Sequence, residues 1–233
     1  VTFNRKHNFA NREQNRDGDN HNNSWNHGIE GPSTNFLINN LRKRQQKNLL
    51  LSLLISRGVP MLLMGDEIGR SQGGNNNSWC QNNSLGWMNW DRSQQDLELL
   101  EYFKYVIKIR KKLIDIFNPT FLPDNKNNEN IPNYHWHGTK LDSPDWSSWS
   151  HTVAFSINKG ITNPLVWIGL NAYSKNIDFS LPECKYNWLK VIDTSMSEIF
   201  EPLTLTTKSV SIKSRSSLLI ISEEVFSAKN NIF

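Results

Sequence analysis

Two adjacent carboxylates, Asp66 and Glu67, follow directly on the apolar run Gly58-Val59-Pro60-Met61-Leu62-Leu63-Met64-Gly65. An apolar stretch too short for a helix that ends abruptly in glycine and acids reads as a buried parallel strand, here 59–64, delivering polar groups at its C-terminal end. The loop that follows, Gly73-Gly74-Asn75-Asn76-Asn77-Ser78-Trp79-Cys80-Gln81, is dense in amides and carries an indole. Asn and Gln offer paired donors and acceptors, and Trp offers a flat apolar face. That combination suits a sugar, whose ring edges carry hydroxyls and whose faces carry C–H groups.

A second polar cluster lies at the start of the chain: Asn4, Lys6, His7, Asn8, Asn11, Asn15 and Asp17. It reads either as a wall of hydroxyl contacts or as a loop whose Asn and Asp side chains satisfy its own backbone. Asp17-Gly18-Asp19-Asn20 resembles the opening of a calcium loop, but the glycine is misplaced and no bidentate Glu closes it, so no metal is assigned. His135-Trp136-His137 puts two imidazoles on one strand face without a third ligand, and is assigned to packing rather than to metal. Arg110-Lys111-Lys112 is the cationic end that a helix dipole favours.

The elements that must position these groups change character along the chain. Residues 1–33 form a long polar loop rich in Asn and Gly, a length more often functional than not when ordered. Asn35 to Ser56 reads as a helix with Ser33 or Thr34 as N-cap, its second half apolar almost all round and therefore buried, with Gly58 as the stop. A helix running at once into a buried apolar strand is half of a βαβ unit and implies a parallel sheet. Asp91-Arg92-Ser93 opens a second helix, with Leu97, Leu100, Phe103, Val106, Ile107, Leu113 and Ile114 near helical spacing. An Asn- and Pro-rich junction at 119–133 follows. From Tyr134 short strands take over at 134–139, 151–157, 164–171, 187–193, 207–212 and 217–222, the pattern of an all-β sandwich.

The totals exclude several classes. The chain has 233 residues, 37% hydrophobic and 21% charged, a globular composition large enough for two ordinary domains. A net charge of +4 from 26 basic and 22 acidic residues is too mild and too dispersed for a nucleic-acid footprint. Cys80 and Cys184 form neither metal spacing nor a disulfide framework, which leaves a reducing compartment as the default. No apolar run reaches membrane-spanning length. The first residue is Val rather than Met and falls inside a motif block, as expected of one portion of a longer protein.

Four blocks carry a family resemblance. FNRKHNFANREQNRDGDNHNNSWNHGIEG at 3–31 is similar to the loop after the seventh barrel strand of isoamylase-type glycogen debranching enzymes, in the α-amylase superfamily, glycoside hydrolase family 13. LRKRQQKNLLLSLLISRG at 41–58 with GVPMLLMGDEIGRSQGGNNNSWCQNN resembles the next helix, the last barrel strand and its loop. YHWHGTKLDSPDWSSWSHTVAF at 134–155 and LNAYSKNIDFSLP at 170–182 resemble the C-terminal β-domain.

The resemblance implies an α/β plus all-β chain. Residues 1–118 would be the C-terminal part of a TIM (β/α)8 barrel, 119–133 a junction, and 134–233 an antiparallel β-sandwich. It implies hydrolysis of α-1,6 branch links in an α-glucan, without cofactor or metal. The partners would be the glucan and the rest of the chain's own barrel, with no nucleic acid and no membrane, in the cytoplasm or a plastid. The family's Asp nucleophile, Glu acid/base and transition-state Asp map upstream of this sequence, so no catalytic residue is assigned within it. Asn4, Lys6, His7, Asn8, Asp66, Glu67, Asn75, Asn76, Asn77, Trp79 and Gln81 are the candidate substrate contacts, with Asp66 and Glu67 supporting the site rather than performing chemistry. Asn82, Ser84 and Asn89 stand where the family commonly has acids or Gln, which puts charged sugar contacts there in doubt. The alternative is a non-catalytic glucan-binding or regulatory isoamylase-like subunit.

On this reading, purified 1–233 is expected to release no reducing sugar from glycogen above a blank, because loss of a nucleophile or acid costs many orders of magnitude in rate. A reducing-end assay checks it, and measurable turnover would overturn the assignment of catalytic groups outside the chain.

Overall fold

The computed structural model describes residues 2–91, 93–117, 132–159, 163–199 and 201–227. In chain order these form α1 (Phe36–Ile55), α2 (Gln94–Lys112), a short α3 (Ile114–Phe117), strands β1 (Pro132–His137), β2 (Thr152–Lys159), β3 (Asn163–Asn171), β4 (Ile177–Ser180), β5 (Trp188–Asp193), β6 (Leu203–Leu205), β7 (Ser209–Ile212) and β8 (Ser216–Ser222), and a last turn of helix, α4 (Glu223–Ser227). Two compact units result: residues 1–50 with 61–103, and residues 51–60 with 104–233. The expected junction at 119–133 lies, but for its last two residues, outside the described residues. Among the described residues no helix is long and apolar enough to cross a membrane.

In the first unit both helices start on side chains. Asn35 Oδ1 accepts from the Leu37 and Ile38 amides at 2.9 and 3.3 Å, so Asn35 is the N-cap of α1, not Ser33 or Thr34. The reason is reach: a cap oxygen must meet the second and third helical amides, and only the residue just before Phe36 does so. Ser33 instead steadies the cap, its Oγ accepting from the Asn35 amide at 3.0 Å. Ser93 and Asp96 close a capping box on α2: Asp96 N–H donates to Ser93 Oγ at 3.3 Å and Ser93 N–H to Asp96 Oδ2 at 2.9 Å. The Tyr102 hydroxyl donates to the Lys47 carbonyl at 3.2 Å and joins the two helices.

The strand expected at 59–64 is not formed. The segment is irregular, and its apolar side chains are open, with Val59 94% and Met61 89% exposed. A strand exists only as part of a hydrogen-bonded ladder, and among the described residues no other strand pairs with this one. The parallel sheet inferred from the helix–strand order is therefore absent here, and every ladder described is antiparallel.

The second unit is the β-domain. Six strands form a sheet in the order β1-β2-β3-β8-β5-β6, and β4 pairs with β7 in a two-stranded sheet. Alternation puts Ala154, Trp167, Leu218 and Ile220 into one core with Phe179 and Ile212 of the small sheet. Trp167 and Phe179 meet edge to face at 5.9 Å. The other face buries Val166, Ile168, Leu219 and Ile221, so the central strand β8 is buried at every position, as a strand covered on both faces must be. β4 and β6 had no counterpart in the sequence reading; each is only four or three residues long and too short for alternation to show.

The second half of α2 is tied to this sheet. The Tyr105 hydroxyl donates to the Val191 carbonyl at 3.1 Å, and burial pushes its pKa up to about 12. Lys112 sits 4.5 Å from the centre of the Phe226 ring. Arg110 is buried and caps the end of α1, its guanidinium donating to the carbonyls of Leu54, Ser56 (3.0 Å) and Gly58 (2.6 Å). The sequence assigned Arg110 only to a solvated helix end; its fork geometry lets it meet one terminal carbonyl of α1, Leu54, and two in the turn that follows, Ser56 and Gly58. His137, on β1, is buried with both ring nitrogens engaged: Nδ1 accepts from the Asp142 amide at 3.0 Å and Nε2 donates to Ser156 Oγ at 3.1 Å. Burial lowers its pKa and the ring is held neutral, which is a packing role.

Replacing Arg110 with Met keeps the apolar stem and removes the fork. The expected cost is about 3 kcal/mol, because buried carbonyls lose charged donors. Urea unfolding followed by tryptophan fluorescence should show the midpoint of this unit falling by about 1.5 M.

Candidate functional site

The candidate contacts all belong to the first unit, where they lie on two loops, 2–31 and 71–86, and on the turn at Asp66–Ile68 between α1 and the second loop. Neither loop contains α-helix or strand, only short 3₁₀ turns at Phe9–Asn11 and Ser78–Cys80. Side-chain amides take over the hydrogen bonding that regular structure would otherwise supply.

The two loops lie side by side and interlock. The His7 amide donates to the Gly74 carbonyl at 2.9 Å. Asn8 is fully buried and exchanges two bonds with Asn76: its Nδ2 donates to Asn76 Oδ1 at 2.8 Å, and the Asn76 amide donates to its Oδ1 at 3.0 Å. Asn11 accepts at Oδ1 from Asn75 Nδ2 and Gln81 Nε2, both at 2.8 Å, and donates to the Asn77 carbonyl at 2.9 Å. Asn75, itself buried, accepts the Asn77 amide at 2.9 Å. Lys6 Nζ donates to the Asp17 carbonyl at 2.8 Å. Asn8, Asn11, Asn75, Asn76, Asn77 and Gln81 thus hold the loops to each other, and Lys6 ties the first loop to itself through the Asp17 carbonyl, the backbone-satisfying role that the sequence left open for the first loop.

Another carboxylate, which the sequence reading passed over, organises the outer part of the first loop. Glu30 accepts from the Asn4 amide (2.8 Å), the Arg5 amide (3.0 Å), Asn26 Nδ2 (2.8 Å) and His7 Nε2 (2.8 Å). Its pKa falls from 4.5 to about 2, the Asn4 amide contributing most and the His7 ring next. Arg42 of α1 is buried beneath and donates to the carbonyls of Asn26 (2.7 Å), Ile29 (2.5 Å) and Gly31 (2.9 Å). The signal for Glu30 was its isolation: a lone acid between Gly28 and Gly31 in an amide-rich loop has donors on every side.

Asp66 and Glu67 stand apart from this network, on a 3₁₀ turn at Asp66–Ile68. Glu67 accepts the Gly65 amide at 2.8 Å. Desolvation first, and then the charge of Glu67, raise the Asp66 pKa. Trp79 sits on the 78–80 turn, bracketed by the anchored Asn77 and Gln81, and is 79% exposed. Among the described residues no group of three His, Cys, Asp or Glu is placed to hold a metal ion.

Residues 135–226 match the family described as Isoamylase 1-3, C-terminal. The sequence is 38% identical to Isoamylase 1, chloroplastic, of Oryza sativa subsp. japonica over 205 residues, 88% of this chain and 24% of that protein. It is 39% identical to a glycogen debranching enzyme of Dickeya chrysanthemi over 184 residues, 78% of this chain and 27% of that one. The fold is similar to that of a pullulanase from Bacillus acidopullulyticus, with a TM-score of 0.57 at 19% identity over 82% of this chain and 21% of that one. A type I pullulanase from Bacillus subtilis str. 168, solved with maltose, gives 0.56 at 19% over 82% and 24%. The chain spans about a quarter of the length of the curated relatives it matches.

A group whose folded-state pKa is depressed stabilises above its unfolded value and loses that contribution as pH falls through the folded one. Glu30 should therefore hold the outer loop in full above about 4.5 and release it only toward about 2. NMR titration is expected to give Glu30 a midpoint near about 2, with the Asn4 and Arg5 amides still protected at about pH 3.5; a midpoint near 4.5 would mean that the four donors do not hold the carboxylate.

Proposed function

From a chain related along most of its length to the isoamylase-type glycogen debranching enzymes, with their C-terminal domain at 135–226, we propose the C-terminal portion of an enzyme that hydrolyses α-1,6 branch links in a glycogen-like α-glucan. The relatives' alignments extend over 88% of the chain, well beyond the β-domain, and support reading the first unit as the closing part of a (β/α)8 barrel. The open apolar segment at 59–64 supports the same reading: an unpaired run of Val, Leu and Met suits a strand whose neighbours are supplied by further barrel strands. The nucleophile and the acid then come from those strands, and this portion contributes the wall of the cleft.

The observation that carries the proposal is the interlocked pair of loops with an indole standing out of it. The C-terminal ends of adjacent barrel strands are where such enzymes assemble their sites. Asn8 and Asn75, buried and occupied, act as the frame. Asn4, His7, Asn76 and Trp79, exposed on that frame, are the groups a glucose unit would meet, through hydroxyls at the amides and through its C–H face at the indole. Asp66 and Glu67 support the loop from its root. A frame bonded at this density holds its exposed groups in place before the sugar arrives, so little ordering entropy is lost on binding.

Trp79→Ala in the complete enzyme tests this. A ring that binds ground and transition states alike should, when removed, raise KM about tenfold, equivalent to about 1.4 kcal/mol, with kcat nearly unchanged. The melting temperature should hold, because the ring is exposed and its turn is anchored on both sides. A lowered melting temperature with unchanged KM would retire the sugar platform.

A further inference from the structure

Asp17 receives bonds from both loops at once. Its Oδ2 accepts from Asn11 Nδ2 at 2.7 Å and from Asn77 Nδ2 at 3.0 Å, with Asn8 Nδ2 at 3.4 Å. Its backbone carbonyl accepts from Lys6 Nζ at 2.8 Å and Asn8 Nδ2 at 2.9 Å. Three of these donors belong to the first loop and one, Asn77, to the second. The two bonds to the main-chain carbonyl would be met by any residue; the three to Oδ2 depend on the side chain, and an ionised carboxylate oxygen accepts them more strongly than a neutral amide oxygen in its place would. Bonds to an ionised acceptor are about twice as strong as neutral ones. The Asn11 amide foremost, and the Asn77 amide after it, hold the Asp17 carboxyl below the ordinary carboxylate range despite opposing desolvation. The next residue, Gly18, has φ +71°, and a Cβ there would lie 2.2 Å from Asn76 Oδ1 and 2.7 Å from Asn8 Nδ2. The backbone at 17–18 is thus pressed directly against the seam between the loops.

We propose that Asp17 is a positioning residue: its charge sets the alignment of the loop 2–31 against the loop 71–86, and through it the surface that the exposed amides and Trp79 offer to a glucan. This rests on the reading of those loops as glucan contacts. The positioning acts through a single carboxylate oxygen shared by Asn11 and Asn77. Removing the charge therefore loosens both loops together, although neither loses a residue of its own from the exposed surface.

The test is Asp17→Asn in the 233-residue chain, followed by amide hydrogen exchange at His7 and Asn76, whose N–H groups donate across the seam to Gly74 O and Asn8 Oδ1. Protection at both amides is expected to fall by about tenfold or more, while Leu219 in β8 stays unchanged and reports intact folding. Exchanging the partners, Asp17→Asn with Asn77→Asp, returns a carboxylate–amide pair to the seam and should restore much of the lost protection. Unchanged protection in D17N, loosening confined to one loop, or failure of the exchanged pair to recover it would each overturn the proposal. KM of D17N in the complete enzyme separates the two levels of inference. A raised KM alongside loosened loops supports both; loosened loops with unchanged KM keep Asp17 as the hub and count against glucan contact at these loops.

Discussion

A buried hydrogen-bonding group must find a partner, and in the two loops of the first unit neither α-helix nor strand supplies one. The chain meets this constraint with side-chain amides. Asn8 and Asn75 are buried because their own polar groups are occupied, and the backbone around them is ordered because they occupy it. An amide carries donors and an acceptor in one rigid plane, so a row of Asn residues can bond to one another and to the main chain without leaving an orphan. The Asn-rich composition of these segments, which by itself suggests a featureless polar loop, is what allows them to hold a shape.

Buried arginines do the same work where carbonyls, rather than amides, lack partners. Arg42 gathers the carbonyls of 26–31 beneath the first loop, and Arg110 gathers those at the end of α1. Each presents a planar fork of donors to several acceptors at once, which a lysine could not. The first loop is thus held from below by a cation and along its outer edge by Glu30. The exposed surface carries Asn4 and His7 on the first loop and Asn76 on the second, and His7 and Asn76 also hold the frame, through Glu30 and Asn8.

The β-domain meets the same constraint by ladder bonding and adds a hydrophobic core on each face of its six-stranded sheet. Within it β8 is buried throughout, Trp167 and Phe179 fill the space between the sheets, and the second half of α2 is anchored to the sheet. The neutral, doubly bonded His137 belongs to this packing and not to any chemistry.

The sequence by itself determined most of the local elements. Short runs rich in aromatic and β-branched residues between turns were enough for β2, β3, β5 and β8, an all-round apolar half with a glycine stop for α1, and helical spacing for α2, because those patterns report surface that must be buried. It also showed that side-chain amides cluster at 3–17 and 73–81. The tertiary structure decided which of those groups face outward. Asn8 and Asn76 are the same residue type in similar loops, yet one is buried and the other exposed, and only the pairing of two segments 68 residues apart settles that. The convergence on Asp17 and Glu30 was hidden for the same reason, since a carboxylate's donors are chosen in space. The strand read at 59–64 shows the converse limit: an apolar run states that a segment could pair, but a strand needs a neighbour, and the neighbour is not a property of the segment.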